Sequence, residues 1–249
     1  IFRAVSFEFR SKVEHDAWRS LWDCVHFVSN LVPCILLGVA FANLFMGIPV
    51  DAQGVYHGNL LALLNVYGLA GGVFFLCMFV LHGSLWLAIK SRGDLQTRAV
   101  ATASFMWPIM LVLLVAFLIL SAFYTKLFDN YLAMPILLVL PLLALAGLVG
   151  ARIMLHAGKL WCAWAFSALF ILGVTFFGVV GMFPGMIISS IDPAATVTAF
   201  NGASSQLTLK IMLGVALVMV PIVLLYQFWM YRLFSEPVLP KDLDDEHAY

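Results

Sequence analysis

Apolar residues run through this chain in six long blocks separated by short polar breaks, at about residues 21–46, 66–89, 99–123, 132–151, 160–188 and 207–231. Each block is long enough to cross the hydrocarbon of a bilayer as an α-helix, which takes roughly 20 mostly apolar residues. Spanning β-strands would instead show as roughly ten-residue segments of alternating polarity. The pattern therefore predicts an all-α polytopic transmembrane helix bundle of about six spans. Prolines at 33, 108, 135, 141, 184 and 221 fall inside the blocks. Membrane helices tolerate them where neighbouring helices or local kinks satisfy the freed backbone groups, so they blur the helix ends and leave the count intact.

Composition agrees with the pattern and narrows it. Of 249 residues, 63% are hydrophobic and 10% charged, against roughly 25% charged in an average soluble domain. The six blocks leave too little chain for a folded soluble domain, so residues 1–249 are expected to form a single integral membrane domain. An amphipathic segment at 1–20 precedes the spans and a polar tail at 232–249 follows them. The 13 basic and 13 acidic residues cancel, so no basic excess invites a nucleic-acid partner. Their placement is more informative than their sum. Arg3, Arg10, Lys12 and Arg19 precede the first block, Lys90, Arg92 and Arg98 join the second to the third, Arg152 and Lys159 join the fourth to the fifth, and Arg232 and Lys241 follow the last. Only Lys126 and Lys210 fall on the opposite face. Because Lys and Arg accumulate in cytoplasmic loops, this split predicts that both ends of the chain are cytoplasmic. Trp18, Trp22, Trp229 and Tyr231 stand near the same edge of the first and last blocks, as interface anchors do.

Ionisable groups at membrane depth cost roughly 2.5–3.5 kcal/mol each at a helix centre, so each is a functional candidate. Asp23 lies one turn into the first block and His26 follows at i+3, on the same helical face. A carboxylate beside an imidazole can handle protons, and Asp23 could equally cap the helix or pair with a nearby arginine. His82 is a second histidine within a block, and with His26 it could form a bis-histidine haem site; the alternative is that both rings hydrogen-bond within the bundle. Cys24, Cys34, Cys77 and Cys162 show no CxxC spacing and read as small apolar packing residues, with no metal site. Gly68, Gly71 and Gly72, and likewise Gly178, Gly181 and Gly185, permit close helix approach. The polar connection of about 20 residues before the last block is longer than usual. It could serve as a lid or partner contact, with Asn201 and Ser204 starting and capping the final helix. No ATP-binding, metal or nucleophile motif stands out, so these residues alone fit a transporter, a respiratory subunit or a scaffold. The absence of a convincing internal repeat and the near absence of midplane charge argue mildly against ion-coupled transport.

One family combines these features. FRAVSFEFRSKVEHDAWRSLWD, residues 2–23, resembles subunit II of the cytochrome bd quinol oxidases, which carry an aromatic-Arg pair, a [FY]-[ED]-[FY]-R-x-K stretch and W-[RK]-x-x-W-D. The resemblance continues in order through GVAFANLFMGIPV, GNLLALLNVYGLAGGV, GMFPGMIISS with the downstream NGASSQLTL, and VPIVLLYQFWMYRLF, and is weakest around 120–160.

The resemblance implies a multi-pass subunit of a respiratory terminal oxidase in the bacterial cytoplasmic (inner) membrane. The complex oxidises quinol and reduces dioxygen to water, with protons drawn from the cytoplasmic side. It further implies a heterodimer with a subunit I that carries two b-type haems and one d-type haem, so that no cofactor is expected on this chain directly and His26 and His82 need not be ligands. A small single-helix accessory subunit, quinone and membrane lipid complete the expected partners. Carried over by position, Arg3 and Asp23 become the proton-access candidates, with His26 and His82 behind them. Family members have two further helices before the region matched here, with D-G-x-[DN]-x-G and W-[DE]-G-N-[EQ]-V-W motifs absent from this sequence. Residues 1–20 are accordingly expected to represent the cytoplasmic end of an earlier helix. A six-span permease and a haem-anchoring subunit of another quinone enzyme are the competing readings.

Overall fold

The computed structural model describes residues 1–237 and residue 239; Lys241 and the remainder of the tail from 240 onward lie outside the described residues. Among the described residues eight α-helices are formed: α1 (Phe2–Arg10), α2 (Asp16–Met46), α3 (Val66–Lys90), α4 (Asp94–Tyr124), α5 (Asp129–Ala133), α6 (Val139–His156), α7 (Leu160–Met182) and α8 (Gln206–Leu233). A two-stranded antiparallel hairpin, β1 (Gly185–Ile187) and β2 (Val197–Thr198), lies in the connection between α7 and α8. Six of the helices, with α6 extended backward by a 3₁₀ turn at Pro135–Leu138, are long and apolar enough to span a bilayer.

The predicted blocks and these helices differ mainly at their ends. The block at 132–151 is broken: α5 ends at Ala133, Met134 turns extended ahead of Pro135, and the main helix begins at Val139. Proline disfavours helical geometry in the residue before it, and Pro184 acts likewise after α7, leaving Phe183 extended and ending the helix at Met182 instead of 188. Pro33, Pro108 and Pro221 lie inside uninterrupted helices. Residues 1–20 are largely helical, with α2 beginning at Asp16 behind a His15 cap whose Nδ1 accepts from Ala17 N. The final helix is capped by Ser205, whose Oγ accepts from Thr208 N, and not by Ser204. Asn201 serves the hairpin instead, accepting from Thr198 N and donating to Thr196 O.

The core lies among α3, α4, α6 and α7, where Phe74, Met78, Leu85, Met110, Leu148 and Phe170 are buried. Tyr67 and Phe74 both stack on Phe117 at 5.2 Å. The Ser121 hydroxyl donates to Phe117 O, which commits its single proton, so the Tyr67 hydroxyl 2.7 Å away must be the donor between them. Helix α2 packs on α3, and the seam is close because it is lined by glycine: a Cβ on Gly38 would lie 2.2 Å from Gly71 O. One turn further, buried Asn43 donates to Val39 O and Leu63 O and accepts from Asn65 Nδ2, while Asn65 Oδ1 caps α3 at Gly68 N. At the same end, Asn130 Nδ2 lies within bonding distance of Val180 O, Gly181 O and Phe183 O. These carbonyls close α7, and the last turn of a helix has no acceptors' partners of its own. The α7–α8 connection is tied to the end of α2 by Ile48 N to Ile188 O and Ser190 N to Ile48 O.

Alternation of the six long helices gathers the α1–α2 turn, the α3–α4 and α6–α7 connections and the end of α8 at one end of the bundle. The contact of Trp86, near the end of α3, with Tyr231, near the end of α8, agrees with that arrangement. This is the end that carries most of the basic residues. Cys24 and Cys162 are exposed on the helix surfaces, whereas Cys34 and Cys77 are half-buried, and none is disulfide-bonded.

Candidate functional site

The candidate residues gather on the seam where α1 folds back along α2. Arg3, Ser6 and Arg10 recur at i, i+3 and i+7 and so share one face of α1. Asp23 and His26 share a face of α2 by the same rule. The two faces run antiparallel and pair rung by rung. Arg10 Nε donates to Asp23 Oδ1 at 2.6 Å and Nη2 to Oδ2 at 3.2 Å, a bidentate pair in which both side chains remain about half exposed. The carboxylate pushes the Arg10 guanidinium further toward its charged form, chiefly through the hydrogen bond. One turn deeper, His26 Nδ1 lies 2.8 Å from the buried Ser6 hydroxyl. Ser6 Oγ also donates to Arg3 O; a serine has one proton to give, so His26 Nδ1–H is the donor and Nε2 is left as the ring's acceptor. Asn30 Nδ2 and Ser29 Oγ both donate to His26 O on the next turn.

Aromatic residues fix this seam. Trp18 Nε1 donates to Phe9 O at 2.7 Å, closing the end of α1. Trp22 is sandwiched against Phe9 and Trp18, and its buried Nε1 has no hydrogen-bond partner among the described residues. The structure thus joins Asp23 to Arg10, which the sequence had not singled out, and not to Arg3. Arg3 is exposed and its side chain makes no hydrogen bond among the described residues. Ser6 was also missed; its signal was the i, i+4 spacing to Arg10, visible only once α2 is known to fold back.

His82 occupies a different helix pair. Its Nδ1 lies 2.7 Å from Ser167 Oγ of α7, and Ser167 donates to Trp164 O, so His82 too is an Nδ1–H donor. One histidine turns to α1 and the other to α7, each with its own serine. Among the described residues no three His, Cys, Asp or Glu side chains cluster as metal ligands.

Two further features complete the polar and apolar landscape. A cavity of about 540 Å³ opens among α2, α3, α4, α6 and α7, walled by residues such as Phe41, Phe75, Phe79, Leu118 and Met182, with Thr175 its one hydroxyl-bearing residue. Such walls suit a hydrocarbon or isoprenoid chain and offer nothing to an ionic substrate. On the opposite end of the bundle from the seam, Asp51 accepts from His57 Nε2 at 2.6 Å and from the Gln53 and Val55 amides. These bonds, His57 first, hold its carboxyl below the usual carboxylate range. A depressed acid stabilises its loop at neutral pH and loses that contribution as pH falls through the folded pKa. Protection of the Gln53 and Val55 amides, taken relative to the intrinsic exchange rate at each pH, is therefore expected to persist to about pH 4, the ordinary aspartate range, and to collapse only below it. Protection factors that stayed constant from neutral to strongly acid pH would contradict this assignment.

The motif for cytochrome bd terminal oxidase subunit II, as a family model, matches residues 1–234. The chain belongs to this family. It is 33% identical over 242 residues to the cytochrome bd ubiquinol oxidase subunit 2 of Bacillus subtilis, covering 96% of this chain and 70% of that protein. It is 32% identical over 279 residues to the cytochrome bd-I ubiquinol oxidase subunit 2 of Escherichia coli, covering 98% and 72%. The probable cytochrome oxidase subunit 2 of Haemophilus influenzae is 34% identical over 262 residues, covering 92% and 68%. As a bd-type subunit II, the chain is a multi-pass membrane component of an oxidoreductase complex that contains haem and a subunit I. This decides against the permease reading.

Proposed function

We propose that this subunit II supports a quinol-oxidising, dioxygen-reducing bd oxidase of a bacterial cytoplasmic membrane, and that the α1–α2 seam is its proton-access element. The carrying observation is the ladder Asp23–Arg10, then His26–Ser6, with Asn30 bonded to His26 O one turn on, which aligns proton-competent and polar groups from the basic end of the bundle inward. Asp23 is the entry group and Arg10 its electrostatic partner. His26, with Nδ1–H given to Ser6, offers Nε2 to an incoming proton. Arg3 sets the potential further along the same face.

The names of the Bacillus and Escherichia relatives support the quinol assignment. The sorting of Lys and Arg supports a cytoplasmic position for the seam and for the chain's end. The haems, two of b-type and one of d-type, are assigned to a heterodimeric partner, subunit I, as membership of the bd-type subunit II family implies. A single-helix accessory subunit fits the same assembly, and the apolar cavity suits the chain of a quinone or lipid.

The purified complex tests this. Asp23→Asn is expected to lower oxidase turnover by about tenfold or more, as loss of a positioned proton-transfer group does, with Asp23→Glu restoring most of it and the amount of assembled complex unchanged. Arg3→Gln is expected to reduce charge separation in proteoliposomes alongside turnover. Full turnover and full charge separation in both Asp23→Asn and Arg3→Gln would refute the proton-access role.

A further inference from the structure

Helix α8 is the least enclosed of the six membrane-length helices. Its 28 residues include none that is buried, and the window that could cross a bilayer has a mean hydropathy of 2.4. Among the described residues, its ring contacts and hydrogen bonds with other helices are confined to its final turns. Tyr231 meets Trp86 of α3 edge-on at 5.4 Å, and the Lys90 ammonium donates to Phe234 O just past the helix end. Between these contacts lies a cavity of about 190 Å³ lined by Trp86, Lys90, Gln227, Met230, Tyr231 and Phe234.

We propose that this cleft binds the headgroup of an anionic phospholipid, whose acyl chains lie along the apolar flank of α8. The lining is asymmetric in chemistry. Lys90, Gln227 and Tyr231 supply a positive charge, an amide and a hydroxyl, and among the described residues no carboxylate lines the cleft. Lys90 has three protons to give and spends one on Phe234 O. Gln227 and Tyr231 make no side-chain hydrogen bond to the described residues. A phosphate diester carries acceptors only, so it matches this set of donors.

The face of Trp86 is already taken by the Lys90 ammonium, 5.2 Å from the ring centroid. A choline or ethanolamine cation would have to displace it and would be repelled by the Lys90 ammonium itself, so a headgroup with net negative charge is selected. Trp161 and Trp164 continue the aromatic cluster from Trp86 and place the cleft at headgroup level. A basic pocket between spans on the cytoplasmic side is the recognised setting for such headgroups.

The test uses the purified oxidase complex, stripped of lipid in detergent and returned to nanodiscs of phosphatidylcholine with or without phosphatidylglycerol. Native mass spectrometry is expected to show phosphatidylglycerol retained in preference to phosphatidylcholine. Lys90→Gln is expected to weaken that retention about fivefold, the weight of one basic residue near an anionic surface, and Lys90→Arg to preserve it. Gln227→Leu, which leaves the Lys90–Phe234 tie in place, is expected to weaken it as well. A photoactivatable phosphatidylglycerol is expected to label α8 around Gln227. Equal retention of the two lipids, or unchanged retention in both Lys90→Gln and Gln227→Leu, would overturn the proposal. So would displacement of the lipid by millimolar inorganic phosphate, which would mark a site for the free anion. Cross-linking of Gln227→Cys to another polypeptide in place of lipid would show that a protein fills the cleft, and would equally overturn it.

Discussion

Gly71→Leu is expected to prevent the subunit from accumulating in the membrane as an assembled complex. A Cβ at position 71 would lie 2.7 Å from the Ala42 Cβ and 2.7 Å from Gly38 O. Overpacking relieved by side-chain movement costs about 1–3 kcal/mol. Here the obstacle is the backbone of α2, which moves only as a whole helix. Separation of α2 from α3 would also pull apart the Asn43, Leu63 and Asn65 bonds one turn away. The combined loss exceeds about 3 kcal/mol, enough to erase a large share of the stability of an ordinary domain. The measurement is the yield of subunit II co-purified with its partner, compared with Gly83→Ala. A Cβ on Gly83 meets nothing within 4 Å, and alanine favours a helix more than glycine does, so that control is expected to accumulate normally. Equal yields of Gly71→Leu and Gly83→Ala would show that the α2–α3 approach is not needed.

Asn43→Leu is expected to lower the thermal stability of the purified complex by an amount equivalent to about 2–3 kcal/mol. Leucine is close to asparagine in size but neither donates nor accepts. It strands the Leu63 carbonyl and one Asn65 amide proton beside a helix seam where water is scarce, and an unpaired buried polar group costs about 1–3 kcal/mol. Val39 O loses only a second donor, because it keeps its place in the α2 ladder. The cost is concentrated at the Leu60–Leu63 turn and at the Asn65 cap that starts α3. A shift in the midpoint of heat inactivation, accompanied by proteolytic sensitivity of the 58–65 segment, is the expected signature. An unchanged midpoint would show that the asparagine network contributes nothing net.

The helix count was legible because hydrophobic length is a property of a contiguous segment, independent of what the segment packs against. Breaks were less legible. Pro33 and Pro135 look alike in a run of apolar residues, yet the first sits inside α2 and the second separates α5 from α6. The difference lies in whether the surrounding turns are braced, as the α5–α7 contacts of Asn130 and Tyr131 brace the break. Within the glycine clusters Gly71 meets Gly38 and Gly178 meets the Phe45 ring, close approaches of the kind expected, whereas Gly185 lies in β1 beside Met182 and Ile188 and takes no part in a helix approach.

The site was half visible. Asp23 and His26 are three residues apart, so helical geometry alone places them on one face. Their partners, Arg10 and Ser6, are separated from them by 13 and 20 residues across a reversal of the chain. No local rule links positions on either side of such a turn.

By itself, the sequence determined what belongs to single segments and to their totals: six membrane-length helices, the gathering of basic residues at one end, and the ordered motifs that mark a bd-type subunit II. Each of these follows from length, composition or linear order, which a chain possesses before it folds. The tertiary structure decided which polar groups meet. It gave Asp23 to Arg10 rather than Arg3, gave each histidine a serine on a different helix, and left α8 joined to the bundle through the cleft at Lys90. Hydrogen bonds reach about 3 Å, and only the packing of helices brings residues that are distant in the chain within that range.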